Sequence, residues 1–255
     1  MAKAKYIAVA GKGGAGKTTF TALLLRQLIS QKKGISILAV DADPNANLGE
    51  ALGLNVTATI SELLEQIKEP QAIPAGMPKN IFVEYKLQQC LVESKDIDLL
   101  VMGGPQGAGC YCYPNDLLRK HLENIGENYD YVAVDCEAGL EHISRRTIPY
   151  IDCMFVISDS SARGIRSAGR VHDLIRGLKS PVKSIYLIVT KTTEGSMESL
   201  KEEIERTGLT LLGDIPLDPL VAEYDLAGRP LFDLPDESVS VQAVESILHR
   251  AGIFK

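Results

Sequence analysis

The sequence predicts an α/β fold, a mostly parallel, doubly wound sheet flanked by helices, in a single domain of residues 1–255. Six short apolar segments bounded by turn residues have the length and composition of buried strands. They are residues 5–10, 35–40, 97–103, 130–135, 153–158 and 184–189. Longer amphipathic segments lie between several of them, and strands that alternate with helices form parallel sheets covered on both faces.

Apolar residues at helical spacing mark the connections. The predicted crossover helices are residues 18–31, 115–125, 162–178 and 197–206. A further helix over 239–251 is expected to cover one face of the sheet. The Pro- and Gly-containing stretch 69–80 is expected to be a loop, and it is short for a boundary between two domains.

Composition excludes several classes of function. The chain has 255 residues, 45% of them apolar, and a formal net charge of −6, with the basic residues dispersed. Neither nucleic acid nor a membrane is therefore an expected partner. The first residues lack the features of a secretory signal, and the odd number of cysteines favours a reducing cytoplasm. These five cysteines are Cys90, Cys110, Cys112, Cys136 and Cys153.

The segment that follows the first predicted strand is rich in glycine. Residues 11–19 read GKGGAGKTT, which matches the phosphate-binding pattern G-x-x-x-x-G-K-T. Glycines let backbone N–H groups point at phosphate oxygens, and the helix that follows adds its positive end. ATP or ADP is the expected ligand. The predicted contact residues are Gly11, Lys12, Gly13, Gly14, Ala15, Gly16, Lys17, Thr18 and Thr19.

Two side chains of this loop have specific expected roles. Lys17 neutralises the β- and γ-phosphates, and the Thr18 hydroxyl is a ligand of Mg²⁺. A second lysine, Lys12, is not needed to hold phosphates within one chain. With it, the loop resembles the deviant Walker A motif of the MinD, ArsA and nitrogenase iron-protein group of ATPases. That resemblance implies a homodimer in which Lys12 contacts the nucleotide held by the partner chain.

Acidic residues follow two other predicted strands. Residues 41–47, DADPNAN, resemble switch I of the same group, and Asp43 matches the aspartate that positions the attacking water. Asp43, Lys12 and Lys17 are thus the predicted catalytic residues. Asp41 is expected at the nucleotide, although both aspartates are also suited to cap a helix that begins near Pro44.

The strand over 130–135 ends in Asp135, which is a candidate to hold magnesium through water. Glu137 and Gly139 follow it and resemble switch II, where glycine permits a backbone rearrangement.

The base is expected to be adenine. Thr190 and Lys191 end a predicted strand where many relatives have Asn-Lys, but no aspartate follows at the spacing that selects guanine. Pro216 lies in a segment, GDIPLD, that resembles the loop against adenine in this group. An ordinary turn at the end of a strand is the alternative for that segment.

A cysteine pair, Cys110-Tyr111-Cys112, follows a second glycine-rich stretch. In extended backbone, residues two apart project to the same side, so both thiolates are able to face one ion. A soft metal site usually has four ligands, and a two-fold axis between two chains would supply them. Two buried structural cysteines are the alternative.

With this pair, the chain resembles the CooC/AcsF family of ATPases along nearly its whole length. The matching segments are residues 11–19, 41–47, 109–115 (GCYCYPN) and 135–147 (DCEAGLEHISRRT). The resemblance implies a metallochaperone that binds Ni²⁺ or Zn²⁺ and assists nickel insertion into carbon monoxide dehydrogenase or acetyl-CoA synthase. An iron–sulfur scaffold ATPase, or an electron donor like the nitrogenase iron protein, is the alternative function.

The remaining thiols and one histidine have no clear place in that pattern. Cys136 departs from the family, which is expected to have asparagine or another small residue between Asp135 and Glu137. A buried cysteine is the favoured interpretation of Cys136, with a third thiol near the nucleotide as the alternative, and Cys90 and Cys153 are expected to be structural. His142 is expected on a helix face, with metal binding as the alternative.

Overall fold

The computed structural model describes residues 4–31, 33–68, 73–104, 112–136, 148, 150–177 and 182–254, with the backbone alone at 64, 68, 79, 80 and 112–118. Eight strands lie within these residues. They are β1 (Lys5–Gly11), β2 (Ile37–Ala42), β3 (Leu91–Val92), β4 (Asp98–Val101), β5 (Tyr131–Cys136), β6 (Ile151–Asp159), β7 (Val182–Thr192) and β8 (Thr210–Pro216). All six predicted strands are confirmed, whereas β3 and β8 were not predicted.

The described helices cover the sheet and connect its strands. They are α1 (Lys17–Gln31), α2 (Leu48–Leu52), α3 (Ile60–Lys68), α4 (Lys79–Gln89), α5 (Cys112–Ile125), α6 (Ala162–Gly177), α7 (Ser196–Thr207), α8 (Pro219–Leu226) and α9 (Val239–Arg250). Short 3-10 turns cover Gly126–Asn128 and Leu231–Asp233. The five predicted helices are confirmed as α1, α5, α6, α7 and α9. No described helix has both the length and the apolar content that crossing a membrane requires.

The strand order is β3-β4-β2-β5-β1-β6-β7-β8, and every neighbouring pair is parallel except β3 with β4. Strand β5 therefore lies between β2 and β1. The register places Asp41 of β2 beside Asp135 of β5, and Asp135 beside Val9 of β1. Because parallel strands end at the same edge, the glycine-rich loop and both acidic segments meet there, as expected for an open α/β sheet.

Two apolar layers stabilise the sheet, one on each face. Along β1, Ile7 and Val9 pack in the layer that contains α1 and α9, and Ala8 and Ala10 pack in the layer that contains α6. All four residues are inaccessible to solvent. Successive side chains of a strand point to opposite faces, so a sheet covered on both sides needs a continuous apolar run rather than an alternating one.

Candidate nucleotide site

The loop between β1 and α1 has the backbone of a phosphate-binding turn. Gly11 ends β1 close to β6, where a Cβ atom would collide with the Ile157 carbonyl oxygen. Gly14 and Gly16 have φ angles of 77° and 88°, a region that side chains disfavour. The Phe20 N–H donates to the Gly16 carbonyl as α1 begins. The glycines are thus required by conformation at 14 and 16 and by close packing at 11.

Lys17 is the first residue of α1, and its side chain is only 6% exposed. Its ammonium nitrogen lies 3.9 Å from an Asp43 carboxylate oxygen. A buried cation needs an anion close by, and among the described residues Asp43 is the carboxylate within 4.0 Å of this ammonium, while Asp41 and Asp135 lie near enough to feel its charge. The arrangement brings together two of the three predicted catalytic residues and provides a positive charge at the floor of the cleft.

Asp41 and Asp43 perform different tasks. The Asp41 carboxylate is fully buried and accepts the Leu48 N–H at 2.8 Å, at the first turn of α2, and the Asp43 N–H at 3.1 Å. Burial raises the pKa of Asp41 to about 6, although these backbone hydrogen bonds oppose the rise. The proposed capping role therefore belongs to Asp41, at a helix that begins at Leu48 rather than near Pro44.

Asp43 lies at the cleft instead. Its carboxylate is 18% exposed, faces Lys17 and accepts hydrogen bonds from the backbone and side-chain amides of Asn45. A carboxylate that is held near a buried lysine and still reached by solvent is suited to orient a water molecule beside a bound γ-phosphate.

Asp135 and Thr18 form the candidate magnesium site. The Thr18 hydroxyl donates to one Asp135 oxygen at 2.6 Å, and the other carboxylate oxygen is buried without a hydrogen-bond partner among the described residues. Burial, together with the charge of Asp41, raises the pKa of Asp135 to about 7, and the Thr18 hydrogen bond opposes this. Oxygen ligands are what Mg²⁺ prefers, so both residues fit this ion.

A cleft of about 580 Å³ extends from the glycine-rich loop toward β8. Its phosphate end is lined by Gly13, Gly14, Gly16, Lys17, Thr18, Thr19, Asp43 and Asn45. Its other end was only partly predicted, and it combines apolar residues with Asp218, Asp225 and Ser240. Besides Pro216, the residues there include Ile215, Leu217, Val221, Ala222 and Leu231. Apolar residues together with a few polar groups suit a purine base.

Thr190 and Lys191 line the same cleft, but their polar atoms contact the glycine-rich loop between β1 and α1, called the phosphate loop below. The Thr190 hydroxyl donates to the Ala15 carbonyl oxygen at 2.7 Å, and the Lys191 ammonium donates to the Gly14 carbonyl oxygen at 2.9 Å. Both residues were predicted to contact the base. Their hydrogen bonds place them beside the glycine-rich loop, and their contact with a base stays a prediction.

Several predicted residues lie outside the described part of the chain. Cys110, Glu137, Gly139 and His142 are among them, and Cys112 is described only as the first backbone position of α5. Lys12 is exposed on the loop, as a contact with a partner chain requires. The described residues contain no cluster of three or more His, Cys, Asp or Glu side chains arranged for a metal ion.

The other three cysteines are buried, as expected for Cys90, Cys136 and Cys153. Burial raises the pKa of the Cys90 thiol to about 11 and that of Cys153 to about 12. Cys136 ends β5 and is inaccessible to solvent. Thiols that resist ionisation are poor metal ligands, which supports a structural role for Cys90 and Cys153.

Sequence comparison gives full-length matches. Residues 6–231 match the model of the CobQ/CobB/MinD/ParA nucleotide-binding domain. An uncharacterised ATP-binding protein of Methanocaldococcus jannaschii is 44% identical over 96% of this chain and 97% of its own length. The carbon monoxide dehydrogenase accessory protein CooC of Rhodospirillum rubrum is 32% identical over 96% of this chain and 97% of its own.

Solved structures share the fold. A ParA family ATPase from Chlorobium tepidum superposes with a TM-score of 0.73 at 20% identity, over 96% of this chain and 99% of that chain. MinD from Pyrococcus horikoshii, complexed with Mg-ADP, gives a TM-score of 0.68 at 20% identity, over 99% of both chains. At these identities, the likeness concerns the arrangement of strands and helices.

Proposed function

The chain belongs to the CobQ/CobB/MinD/ParA nucleotide-binding family, and within this family we propose that it is an ATP-dependent metallochaperone for a nickel enzyme of the carbon monoxide dehydrogenase or acetyl-CoA synthase type. The observation that carries the proposal is the 32% identity with CooC over nearly the full length of both proteins. It is supported by the Cys-X-Cys pair at 110 and 112.

The chain is an ATP-binding ATPase, like the MinD, ParA and CooC members of the family. The glycine-rich loop and Lys17 hold the phosphates of the nucleotide, and Asp43 orients water for attack on the γ-phosphate. Bound Mg²⁺ would neutralise charge on the β- and γ-phosphates, with Thr18 and Asp135 as the residues that hold it. Phosphoryl transfer depends on positioning and charge stabilisation, and these four elements provide both.

The metal ion is cargo rather than a resident cofactor. Cys110 and Cys112 of two copies would supply four thiolates, which suit nickel in square-planar geometry and zinc in a tetrahedron. The exposed position of Lys12 is consistent with the same two-fold pairing, because this lysine is free to reach a nucleotide in a partner chain. Nucleotide and metal would then favour the same dimer.

The described end of β4 supports a link between hydrolysis and the cysteine pair. After β4 ends at Val101, the chain passes Gly103 and Gly104 before it reaches Cys110. A Cβ atom on Gly104 would lie 3.2 Å from the carbonyl oxygen of Pro44, which directly follows Asp43. The Met102 N–H also donates to the Asp41 carbonyl oxygen at 2.8 Å. Residues 41–47, which resemble switch I, therefore contact the segment that leads from β4 to the cysteines.

The function can be tested by maturation of a client enzyme. Nickel-free carbon monoxide dehydrogenase is incubated anaerobically with limiting nickel and Mg-ATP, with and without the protein, and its activity is measured. We expect activation by the wild type and little activation by Lys17→Ala or Cys112→Ala. Cys90→Ala, which removes a buried thiol outside the cleft, is the matched control.

Two outcomes would contradict the proposal. Equal activation by wild type and Cys112→Ala would show that the cysteine pair has no role in metal delivery. A brown protein with iron and sulfide bound at Cys110 and Cys112 after anaerobic purification would instead favour the iron–sulfur scaffold.

A further inference from the structure

Strand β7 ends in a backbone irregularity at Lys191. Thr190 pairs with Ile215 of β8 and Thr192 pairs with Pro216, so Lys191 is an extra residue without a partner in this ladder. Its φ angle is 57°, the left-handed region that residues other than glycine rarely adopt. Bulges and left-handed residues of this kind redirect a side chain, and they concentrate at functional sites.

The bulge directs Lys191 toward the phosphate loop. Its ammonium group donates to the Gly14 carbonyl oxygen at 2.9 Å, although the two residues are 177 positions apart. Its own carbonyl oxygen accepts the Ser160 hydroxyl at 2.8 Å. The neighbouring Thr190 hydroxyl donates to the Ala15 carbonyl oxygen at 2.7 Å. Two successive carbonyl groups of the loop are thus bonded by two successive residues of β7.

These bonds determine how the loop presents its N–H groups. In a trans peptide unit the carbonyl and the following N–H point in opposite directions. The Lys191 bond therefore fixes the Ala15 N–H, which donates to the Lys12 carbonyl and closes the turn, and the Thr190 bond fixes the Gly16 N–H. Gly14 has no side chain to restrain its backbone, so the Lys191 bond adds a second restraint on this peptide beside the hydrogen bond between the Ala15 N–H and the Lys12 carbonyl.

We infer that Lys191 is a positioning residue that preorganises the phosphate loop by binding the Gly14 carbonyl, rather than a reader of the adenine base. A charge-assisted hydrogen bond is stronger than a neutral one and suits a loop that is open to solvent on one side. The inference concerns the ATPase site alone and does not depend on metal handling.

The test compares three variants of the full-length protein. Lys191→Asn removes the ammonium group and retains a residue that tolerates the left-handed backbone. Lys191→Arg retains a cationic donor. Lys201→Asn removes an exposed lysine of α7 that does not line the cleft and serves as the matched control.

Affinity is measured for Mg-ATP and, by competition, for magnesium tripolyphosphate, which has phosphates but no base. We expect Lys191→Asn to weaken both by about tenfold. The KM for ATP should rise by the same factor while kcat stays within about twofold, because the loop binds the phosphates equally in the ground state and in the transition state of hydrolysis. Lys191→Arg should recover most of the loss, and the thermal midpoint of the nucleotide-free protein should match that of Lys201→Asn.

Three results would overturn the inference. Unchanged affinity in Lys191→Asn would show that the bond has no role in binding. Weaker ATP binding with unchanged tripolyphosphate binding would assign Lys191 to the base. A lowered thermal midpoint in both Lys191→Asn and Lys191→Arg, with equal losses of affinity, would show a structural role for the lysine side chain.

Discussion

The Thr18 hydroxyl donates a 2.6 Å hydrogen bond to the Asp135 carboxylate, although the residues are 117 positions apart. This bond joins the first turn of α1 to the end of β5, beside the fully buried Asp41. Two carboxyl groups, those of Asp41 and Asp135, therefore lie close together where water reaches poorly, and both feel the charge of Asp43. Without bound nucleotide and magnesium, such a site favours the protonated forms of its carboxyl groups.

The stability of the nucleotide-free, magnesium-free protein should decrease as pH rises from about 4 to about 7. Burial raises the pKa of Asp135 to about 7 and that of Asp41 to about 6, above the value of about 3.9 in an unfolded chain. Between the unfolded pKa and the folded pKa of each group, the folded protein binds more protons than the unfolded chain. The free energy of unfolding therefore falls by on the order of 1.4 kcal/mol per pH unit for each group, up to about pH 6 for Asp41 and about pH 7 for Asp135.

Urea unfolding at pH 5, 6, 7 and 8 measures this effect. Asp135→Asn mimics the protonated carboxyl group and should flatten the part of the profile between pH 6 and 7. Glu198→Gln, which changes an exposed carboxylate on α7, is the control. An identical pH profile in Asp135→Asn and wild type would show that Asp135 does not hold a proton in the folded state.

Lys17→Ala should reduce ATP affinity at least a hundredfold. The ammonium group is nearly inaccessible to solvent and lies 3.9 Å from Asp43, so its loss leaves the phosphates facing an uncompensated carboxylate. Calorimetric titration with Mg-ATP measures the change, and Lys201→Ala controls for loss of a lysine. Near-normal affinity in Lys17→Ala would show that the phosphate site has been assigned to the wrong residues.

Asp43→Asn should retain ATP binding and lower the hydrolysis rate roughly a hundredfold or more. Asparagine preserves an oxygen that is able to accept the Asn45 N–H, so the loop keeps its shape while the negative charge is lost. Single-turnover hydrolysis separates this step from binding, and the exposed Asp173→Asn on α6 is the control. A normal turnover rate would leave Asp43 with a purely structural role.

Lys12→Gln should preserve nucleotide binding by one chain and prevent dimerisation in the presence of ATP. The residue is exposed and does not line the cleft, whereas Gly13, Lys17 and Thr18 of the same loop do. Sedimentation with a non-hydrolysable ATP analogue compares the variant with wild type and with Lys201→Gln. A dimer of normal affinity would exclude the predicted contact across the two-fold axis.

Elements with strong apolar patterns were predictable from sequence. Most residues of the six predicted strands are buried, and so are the faces that α1 and α9 present to the sheet. Strand β8 was missed because it lies at an edge of the sheet and only Ile215 in it is buried. Strand β3 has two residues and α2 has five, which is too short for a periodic pattern to identify them.

The site was predictable in its residue types and less so in their contacts. Asp41 and Asp43 are two positions apart, and both were suited to a cap or to the phosphates. Only the direction of the chain after β2 decides that Asp41 faces α2 and Asp43 faces Lys17. The contact of Lys191 with Gly14 depends on a bulge in β7, and no local sequence signal specified that bulge.

Equilibrium metal binding tests the central claim most directly. A site made of Cys110 and Cys112 from two chains should saturate at one Ni²⁺ or Zn²⁺ per dimer, with the two ions in competition and with affinity that weakens as pH falls. Cys110→Ser and Cys112→Ser should each lose tight binding and still bind ATP. One ion per chain, with tight binding that persists in Cys112→Ser, would contradict the shared thiolate site.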